Sequence, residues 1–203
     1  MSRTAAQSII ETAGRQDRKT LSEYESKTLL AAYGIPVTRE KLVDDRKDLP
    51  AALSEIRFPV VIKGCSAEIA HKTERNLIRV DIRTQEEALK AFDEITAALE
   101  GGGAVLVQEM ISGRRELVMG LTRDPQFGPC VMFGLGGIFT EILKDIAFRK
   151  APLGKADALA LMQDIRGRKI LDAVRGMEAA DKDALAAMLV SLGTIGLELK
   201  TTG

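Results

Sequence analysis

Residues 59–74 read PVVIKGCSAEIAHKTE, and they set the pattern for the first half of the chain. The apolar run at 59–62 has the composition of a buried strand, and Lys63 ends it, followed by small residues. A polar segment that contains His71 then leads to a second β-type run at 77–82. The stretch therefore predicts two strands joined by a polar connection.

Capping boxes predict a helix start on either side of this stretch. Ser22 and Glu25 form one such pair and Thr84 and Glu87 form the other, so that each side chain can satisfy a free N–H group of the first turn. The first helix should end at Gly34, where a left-handed C-cap is easily adopted. The second should bury the apolar residues that recur at helical spacing between 88 and 99.

The second half of the chain is predicted to be richer in strands. Further helices are expected over 158–165 and after Asp181, which can cap the last one. Short β-type runs precede them, at 104–107, 116–121, 131–133 and 138–143. Helices that alternate with strands and then give way to clustered strands indicate an α+β fold.

We predict three parts: an N-terminal arm or short helix at 1–18, a small lobe at 19–103 and a second lobe at 104–203.

Composition narrows the class of protein. The 203 residues carry 29 Lys and Arg and 29 Asp and Glu, and a net charge of zero argues against a dedicated nucleic-acid binder. No apolar run approaches the roughly 20 residues that span a bilayer, and no secretory signal is evident. Cys65 and Cys130 have no redox or metal-binding spacing. We therefore expect a cytoplasmic protein with no membrane or nucleic-acid partner.

Two basic residues of the opening stretch are candidates for chemistry. His71 is the only histidine, and it is either a surface loop residue or an acid/base or covalent carrier of a phosphoryl group. Lys63 either reaches solvent from the end of its strand or binds a polyphosphate beside exposed N–H groups of small residues.

Two further features leave similar alternatives open. Glu109 and Glu116 are either exposed carboxylates around a turn or parts of a hinge that holds a nucleoside through backbone groups and a carboxylate. The sequence Gly134-Leu135-Gly136-Gly137 is either a turn or a place where backbone approaches phosphate. It lacks the strand-first context and third glycine of a dinucleotide-binding fingerprint.

Four blocks, at 21–37, 59–74, 105–121 and 128–153, together resemble the ATP-grasp domain of the ADP-forming acyl-CoA synthetases (acetate–CoA ligases), the nucleotide-binding or β part. The blocks agree with that family in order and spacing over roughly residues 20–200. The resemblance implies an ATP-grasp fold of two α+β lobes with nucleotide between them. It also implies the reaction carboxylate + CoA + ATP ⇌ acyl-CoA + ADP + phosphate, shared with a CoA-binding subunit or domain.

The resemblance also implies roles for individual residues. His71 stands where the family has a phosphohistidine relay, and Lys63 matches the strand lysine that contacts ATP or ADP phosphates. Glu116 matches the ribose-binding acid. Glu109, Met110 and Ile111 match the hinge that receives adenine. Gly136 and Gly137 match a phosphate-side loop, although this match is looser.

The chain departs from the family pattern at two places. Asn76 replaces a usual glycine, and because asparagine tolerates left-handed backbone, the turn should survive. The family also has an acidic-x-Asn-Pro strand that supplies Mg²⁺ ligands, and those ligands are expected beyond Gly203. Glu141 and Asp145 could offer oxygens to a cation, but no motif supports either.

The second departure leaves the function open between two main alternatives. The first is the phosphoryl-relay component of the synthetase. The other is a metal-site-deficient, non-catalytic nucleotide sensor or structural partner of a CoA-binding subunit. A regulatory ATP-grasp domain of a protein acetyltransferase ranks last, because no acetyltransferase segment is present.

Overall fold

The structure is a computed structural model that describes residues 3–68, 76–113, 115–137, 142–174 and 176–199. The chain divides into two compact units, Met1–Ala32 with Pro36–Ser112 and Tyr33–Ile35 with Gly113–Gly203. The predicted boundary at 103/104 thus lies nine residues too early. The reason is that the strand at 104–109 pairs within the first sheet, as described below.

Two helices begin the first unit. Helix α1 spans Arg3–Arg15, where the sequence left an arm or a helix open, and it packs against α2 at Glu23–Ala32. The predicted capping box precedes α2: Ser22 N donates to Glu25 Oε2 at 2.7 Å, and Glu25 N donates to Ser22 Oγ at 3.3 Å. Gly34 follows with a φ of +77°, so both predicted ends of this helix are confirmed.

The sheet of the first unit has four antiparallel strands in the order β1-β4-β2-β3. Strands β2 and β3 flank the predicted polar connection, and the charged strand β1 was not predicted. The four strands are β1 (Glu40–Val43), β2 (Val60–Cys65), β3 (Ile78–Ile82) and β4 (Ala104–Glu109). Asn76, just before β3, has a φ of +59°, as expected for the position where it replaces glycine.

Helices α3 (Leu49–Ile56) and α4 (Gln85–Ala98) complete the first unit. Both pack on the sheet, and α4 begins with the predicted Thr84 capping box. Because successive strand residues point to opposite faces, alternate residues of β2 and β4 enter this core while their neighbours lie on the other face. The buried cluster includes Val60, Ile62, Val105, Val107, Leu53, Ile56, Phe92 and Ile95.

The second unit packs two helices on a three-stranded antiparallel sheet of order β5-β6-β7. Its core contains Val131, Phe133, Leu161, Met162 and Leu189. The elements are β5 (Leu117–Asp124), β6 (Gly128–Leu135), β7 (Ile146–Lys150), α5 (Lys155–Asp164) and α6 (Lys182–Glu198), the last capped by Asp181 as predicted. In the described part of the chain, no helix combines the length and the apolar character needed to cross a membrane.

The prediction of a strand at 138–143 is wrong at Ile142 and Leu143. Residues 138–141 lie outside the described ranges, while Ile142 and Leu143 belong to no strand and are 73% and 48% exposed. Lys144 then adopts a φ of +46°, which interrupts an extended chain. The third strand therefore begins only at Ile146.

Asp145 joins this third strand to the turn after α5. The side chain is buried, and its Oδ1 and Oδ2 accept hydrogen bonds from Arg166 N at 2.8 Å and Gly167 N at 2.6 Å. Burial acts to raise the pKa of Asp145. The two N–H donors and the charge of the Arg166 guanidinium outweigh that effect, and the pKa lies below its ordinary value.

The Asp145 contacts predict a pH-dependent loss of stability in Asp145→Asn. An amide oxygen can serve only one of the two N–H groups, so we expect the free energy of unfolding at pH 7 to fall by about 1–3 kcal/mol. Because the folded pKa is depressed, the stabilisation is present above the ordinary Asp pKa of about 3.9 and is lost as the pH falls through the folded value.

Urea unfolding of both proteins between pH 7 and pH 2 would measure this difference, with the exposed Asp183→Asn as the control. A deficit that stays constant down to pH 2 would contradict the assignment.

Candidate functional site

Lys63 extends from β2 onto the sheet face opposite α3 and α4. Its neighbour Ile62 is fully buried in the core, so the alternation of the strand directs Lys63 to the other side. The Lys63 side chain is only 12% exposed; its Nζ pairs with Glu23 and donates to Gln108 Oε1 at 2.8 Å. The structure thus places this ammonium in a polar cluster and not in bulk solvent.

A second lysine shares the acceptors of Lys63. Lys27 Nζ lies 2.9 Å from Glu23 Oε1, 2.6 Å from Gln108 Oε1 and 2.6 Å from Glu40 Oε2. Burial acts to lower the pKa of Lys27, but hydrogen bonds to Glu23 and Glu40 outweigh it and the pKa lies above its ordinary value. We call these five residues the lysine cluster: Glu23, Lys27, Glu40, Lys63 and Gln108.

Only Lys63 among the five residues of this cluster was a candidate from the sequence. Glu23 and Lys27 are spaced i,i+4 on α2 with the acid first, which is a favourable helix pair and a signal that could have been read. Gln108 and Glu40 are directly paired on β4 and β1, so they share one sheet face, and this register is not visible in the sequence.

The predicted hinge begins at the end of β4. The Glu109 carboxylate accepts hydrogen bonds from Arg39 N and Arg39 Nε, each at 2.7 Å, and these bonds hold its pKa below the ordinary value. Met110 N donates to Pro59 O at 3.3 Å, and the Ile111 side chain is 64% exposed. Because Arg39 engages the carboxylate, any nucleoside contact at this hinge would fall to main-chain groups.

Glu116 and the glycine loop come together in the second unit. Gly136 N donates to Glu116 O at 2.9 Å, which fixes the loop beside the start of β5. Gly137 has a φ of +60°, and a Cβ atom there would overlap Glu116 Oε2. The absence of a side chain at 137 thus leaves room for the Glu116 carboxylate.

The remaining predicted site residues cannot be placed in the same way. His71 and Glu141 lie outside the described residues. Asp145 uses both carboxylate oxygens on main-chain donors, so it does not form a cation site. Within the described ranges no group of three or more His, Cys, Asp and Glu side chains could hold a metal ion, and we assign no Mg²⁺ ligand.

The contact between Gly137 and Glu116 predicts the effect of a single methyl group. Gly137→Ala should displace the Glu116 carboxylate. If Glu116 is the ribose ligand that the family resemblance implies, this variant should weaken adenine-nucleotide binding about as much as Glu116→Ala should. Gly128→Ala is a matched control, because Gly128 has a φ of +77° but no atom within 4 Å of its Cβ position. Both alanines should reduce stability, by about 1 kcal/mol or more, since both impose left-handed backbone on a side chain.

Calorimetric titration with ADP would distinguish the two glycine variants. Unchanged ADP affinity in Gly137→Ala, or an equal loss in Gly128→Ala, would contradict a role for the Glu116 position in binding.

The chain is similar to known proteins over most of its length. The chain matches the ATP-grasp domain family over residues 12–201. It is 42% identical over 203 residues to the β subunit of acetate–CoA ligase [ADP-forming] I of Pyrococcus furiosus, covering 96% of this chain and 86% of that one. It is 36% identical to acetate–CoA ligase [ADP-forming] I of Archaeoglobus fulgidus, covering 86% of this chain and only 26% of that longer protein.

A solved structure of a related synthetase is also similar to this chain. The dinucleotide-forming acetyl-coenzyme A synthetase 1 of Ca. Korarchaeum cryptofilum, in complex with coenzyme A and Mg-AMPPCP, aligns with a TM-score of 0.86 and 39% identity. The alignment covers 96% of this chain and 87% of that one, and in that structure the phosphohistidine segment points towards the nucleotide binding site. The chain is therefore an ATP-grasp protein of the ADP-forming acyl-CoA synthetase family, and corresponds to its nucleotide-binding β component.

Proposed function

We propose that this chain binds ADP and ATP and passes a phosphoryl group between the nucleotide and a CoA-binding partner through His71. The observation that carries the proposal is the match over 96% of the chain to a synthetase structure that holds Mg-AMPPCP with a phosphohistidine segment directed at its nucleotide site. The first unit supplies the Lys63 ammonium, and the second unit supplies the Glu116 carboxylate beside a glycine loop. Both are groups that can bind parts of a nucleotide.

Lys63 is the proposed phosphate ligand. Its ammonium already sits among oxygen acceptors, and phosphoryl transfer depends chiefly on positioning and on neutralising charge. Glu116 is the proposed ribose ligand, and the glycine loop beside it has no side chains at 136 and 137 that would keep a phosphate away from the main chain. The main chain of Glu109, Met110 and Ile111 would receive the adenine, because Arg39 engages the Glu109 carboxylate.

His71 is the proposed covalent carrier. In the direction of ATP use, an imidazole nitrogen attacks the γ-phosphorus, a P–N bond forms and the bond to the bridging oxygen breaks, so that ADP leaves. The ring proton is lost to solvent. In the direction of ATP formation, an oxygen of the ADP β-phosphate attacks phosphohistidine, the P–N bond breaks and the ring takes a proton back from solvent. In both directions Lys63 would hold the phosphates in place and offset their charge.

The proposed partner is a CoA-binding subunit or domain. The Archaeoglobus fulgidus relative is a longer protein of which the matching segment is about a quarter, and the Ca. Korarchaeum cryptofilum structure contains coenzyme A. We place the assembly in the cytoplasm, because Cys65 and Cys130 are both free thiols, as is usual in a reducing compartment.

Removing the proposed phosphate ligand should weaken nucleotide binding selectively. For Lys63→Ala we expect the dissociation constant for ADP to rise about 10- to 150-fold, since a charge-assisted hydrogen bond contributes about 1.5–3 kcal/mol. Lys90→Ala is the control, because Lys90 is an exposed lysine of α4 in the same unit. Calorimetry that gives the same ADP affinity for Lys63→Ala and wild type would contradict the proposed site.

Replacing His71 should separate binding from transfer. His71→Asn retains size and polarity but cannot form a P–N bond, so ADP affinity should persist while phosphoryl transfer stops. The measurement is incubation of the chain and its CoA-binding partner with γ-³²P-ATP, followed by separation of the two chains and assay of acid-labile, base-stable label. Label that reaches the partner at the wild-type rate in His71→Asn would rule out the relay. No label on the wild-type chain, despite ADP binding, would favour a nucleotide sensor.

A further inference from the structure

The two ammonium groups of the lysine cluster are bridged by the same two oxygen atoms. Gln108 Oε1 accepts from Lys27 Nζ at 2.6 Å and from Lys63 Nζ at 2.8 Å. Glu23 Oε1 likewise pairs with both lysines. Lys27 and Lys63 therefore compete for the same acceptors. Because the acceptors are shared, each lysine is bound less tightly than it would be alone.

Lys27 has a further carboxylate that Lys63 does not share among the described contacts. The Glu40 side chain is 6% exposed, and its Oε2 pairs with Lys27 at 2.6 Å. Glu40 Oε1 is buried without a hydrogen-bond partner in the described residues. A buried carboxylate needs a cation, so Glu40 keeps Lys27 in the cluster whatever Lys63 contacts.

We infer that Lys27 is a positioning residue that allows Lys63 to exchange Glu23 for a nucleotide phosphate. This inference rests on the proposed phosphate-binding role of Lys63. When the Lys63 ammonium turns to phosphate, Glu23 loses one cation but keeps Lys27 at 2.9 Å. Glu23 therefore keeps an ammonium of the lysine cluster beside it throughout the exchange, which lowers the cost of the exchange.

Without Lys27, Lys63 would be the one ammonium of the lysine cluster beside Glu23. Its withdrawal would then take from Glu23 the last ammonium that the cluster offers. Lys63 should accordingly be held more tightly by Glu23 and be less available to phosphate. Loss of Lys27 should therefore weaken the binding of phosphate and not that of the nucleoside. A general loss of structure would weaken both.

The test is a double-mutant cycle on nucleotide affinity. In Lys27→Met we expect the dissociation constant for ADP to rise about tenfold, the size of coupling usual for contacting charged residues, with the affinity for adenosine unchanged. Adding Glu23→Gln removes the competing charge and should return the ADP affinity to within about threefold of wild type. Glu23→Gln alone should tighten ADP binding, because it removes a carboxylate charge that competes with phosphate for Lys63.

Calorimetry with ADP and equilibrium dialysis with labelled adenosine provide the readouts. An equal loss for ADP and adenosine in Lys27→Met, no loss at all, or no recovery in the double variant would overturn the inference. If Lys27→Met does not fold, Glu23→Gln decides alone: weaker ADP binding in that variant overturns it.

Lys63→Ala measured in parallel separates this inference from the proposed function. If Lys63→Ala weakens ADP binding and Lys27→Met does not, only the role of Lys27 fails. If Lys63→Ala has no effect, the proposed phosphate site and the inference both fail.

Discussion

The desolvated ammonium of Lys63 is the constraint on which the candidate site of the first unit depends. A charge that is almost removed from water must be paired, and its partners must come from elements that the fold holds in place. Here α2 supplies Glu23 and β4 supplies Gln108, while β2 fixes the position of Lys63 itself. The four-stranded sheet thus serves two purposes: one face buries the apolar core, and the other positions the cation.

In the second unit, the Glu116 carboxylate lies against main chain that carries no side chains. Gly136 and Gly137 approach Glu116 so closely that no side chain fits, and the other end of the loop is tied to Asp145 through the hydrogen bond from Leu135 N to Asp145 O. Asp145 in turn binds the turn after α5. Asp145, which from the sequence could have offered oxygens to a cation, instead supports the loop through hydrogen bonds.

The sequence predicted local features well because their causes are local. The Ser22 and Thr84 capping boxes and the left-handed backbone at Gly34 and Asn76 each depend on a few neighbouring residues. Strand β1 was missed because half of its residues are charged. The strand boundary near Ile146 was missed because exposed apolar residues precede it, and exposure is set by packing and not by local pattern.

The family resemblance and the fold class could also be obtained from the sequence, since ordered blocks of residues carry both. The lysine cluster could not be predicted from the sequence. Its five members come from four elements that are separated by as many as 85 residues, from Glu23 to Gln108, and their contact depends on the pairing of β4 with both β1 and β2. The proposed roles of Lys63, Glu109, Glu116 and His71 remain predictions that the binding and labelling experiments address.

The geometry of the lysine cluster also explains why its second cation is a lysine. Four oxygen atoms converge on the single Lys27 Nζ, from Glu23, Thr38, Glu40 and Gln108, at 2.6–3.0 Å. An ammonium is a compact charge whose three N–H groups rotate freely, and it can serve acceptors that surround it in space. A guanidinium directs its donors within one plane and carries more volume. Arginine at position 27 would keep the positive charge, but its planar donors could not contact all four oxygen atoms. The cluster therefore requires the shape of lysine as well as its charge.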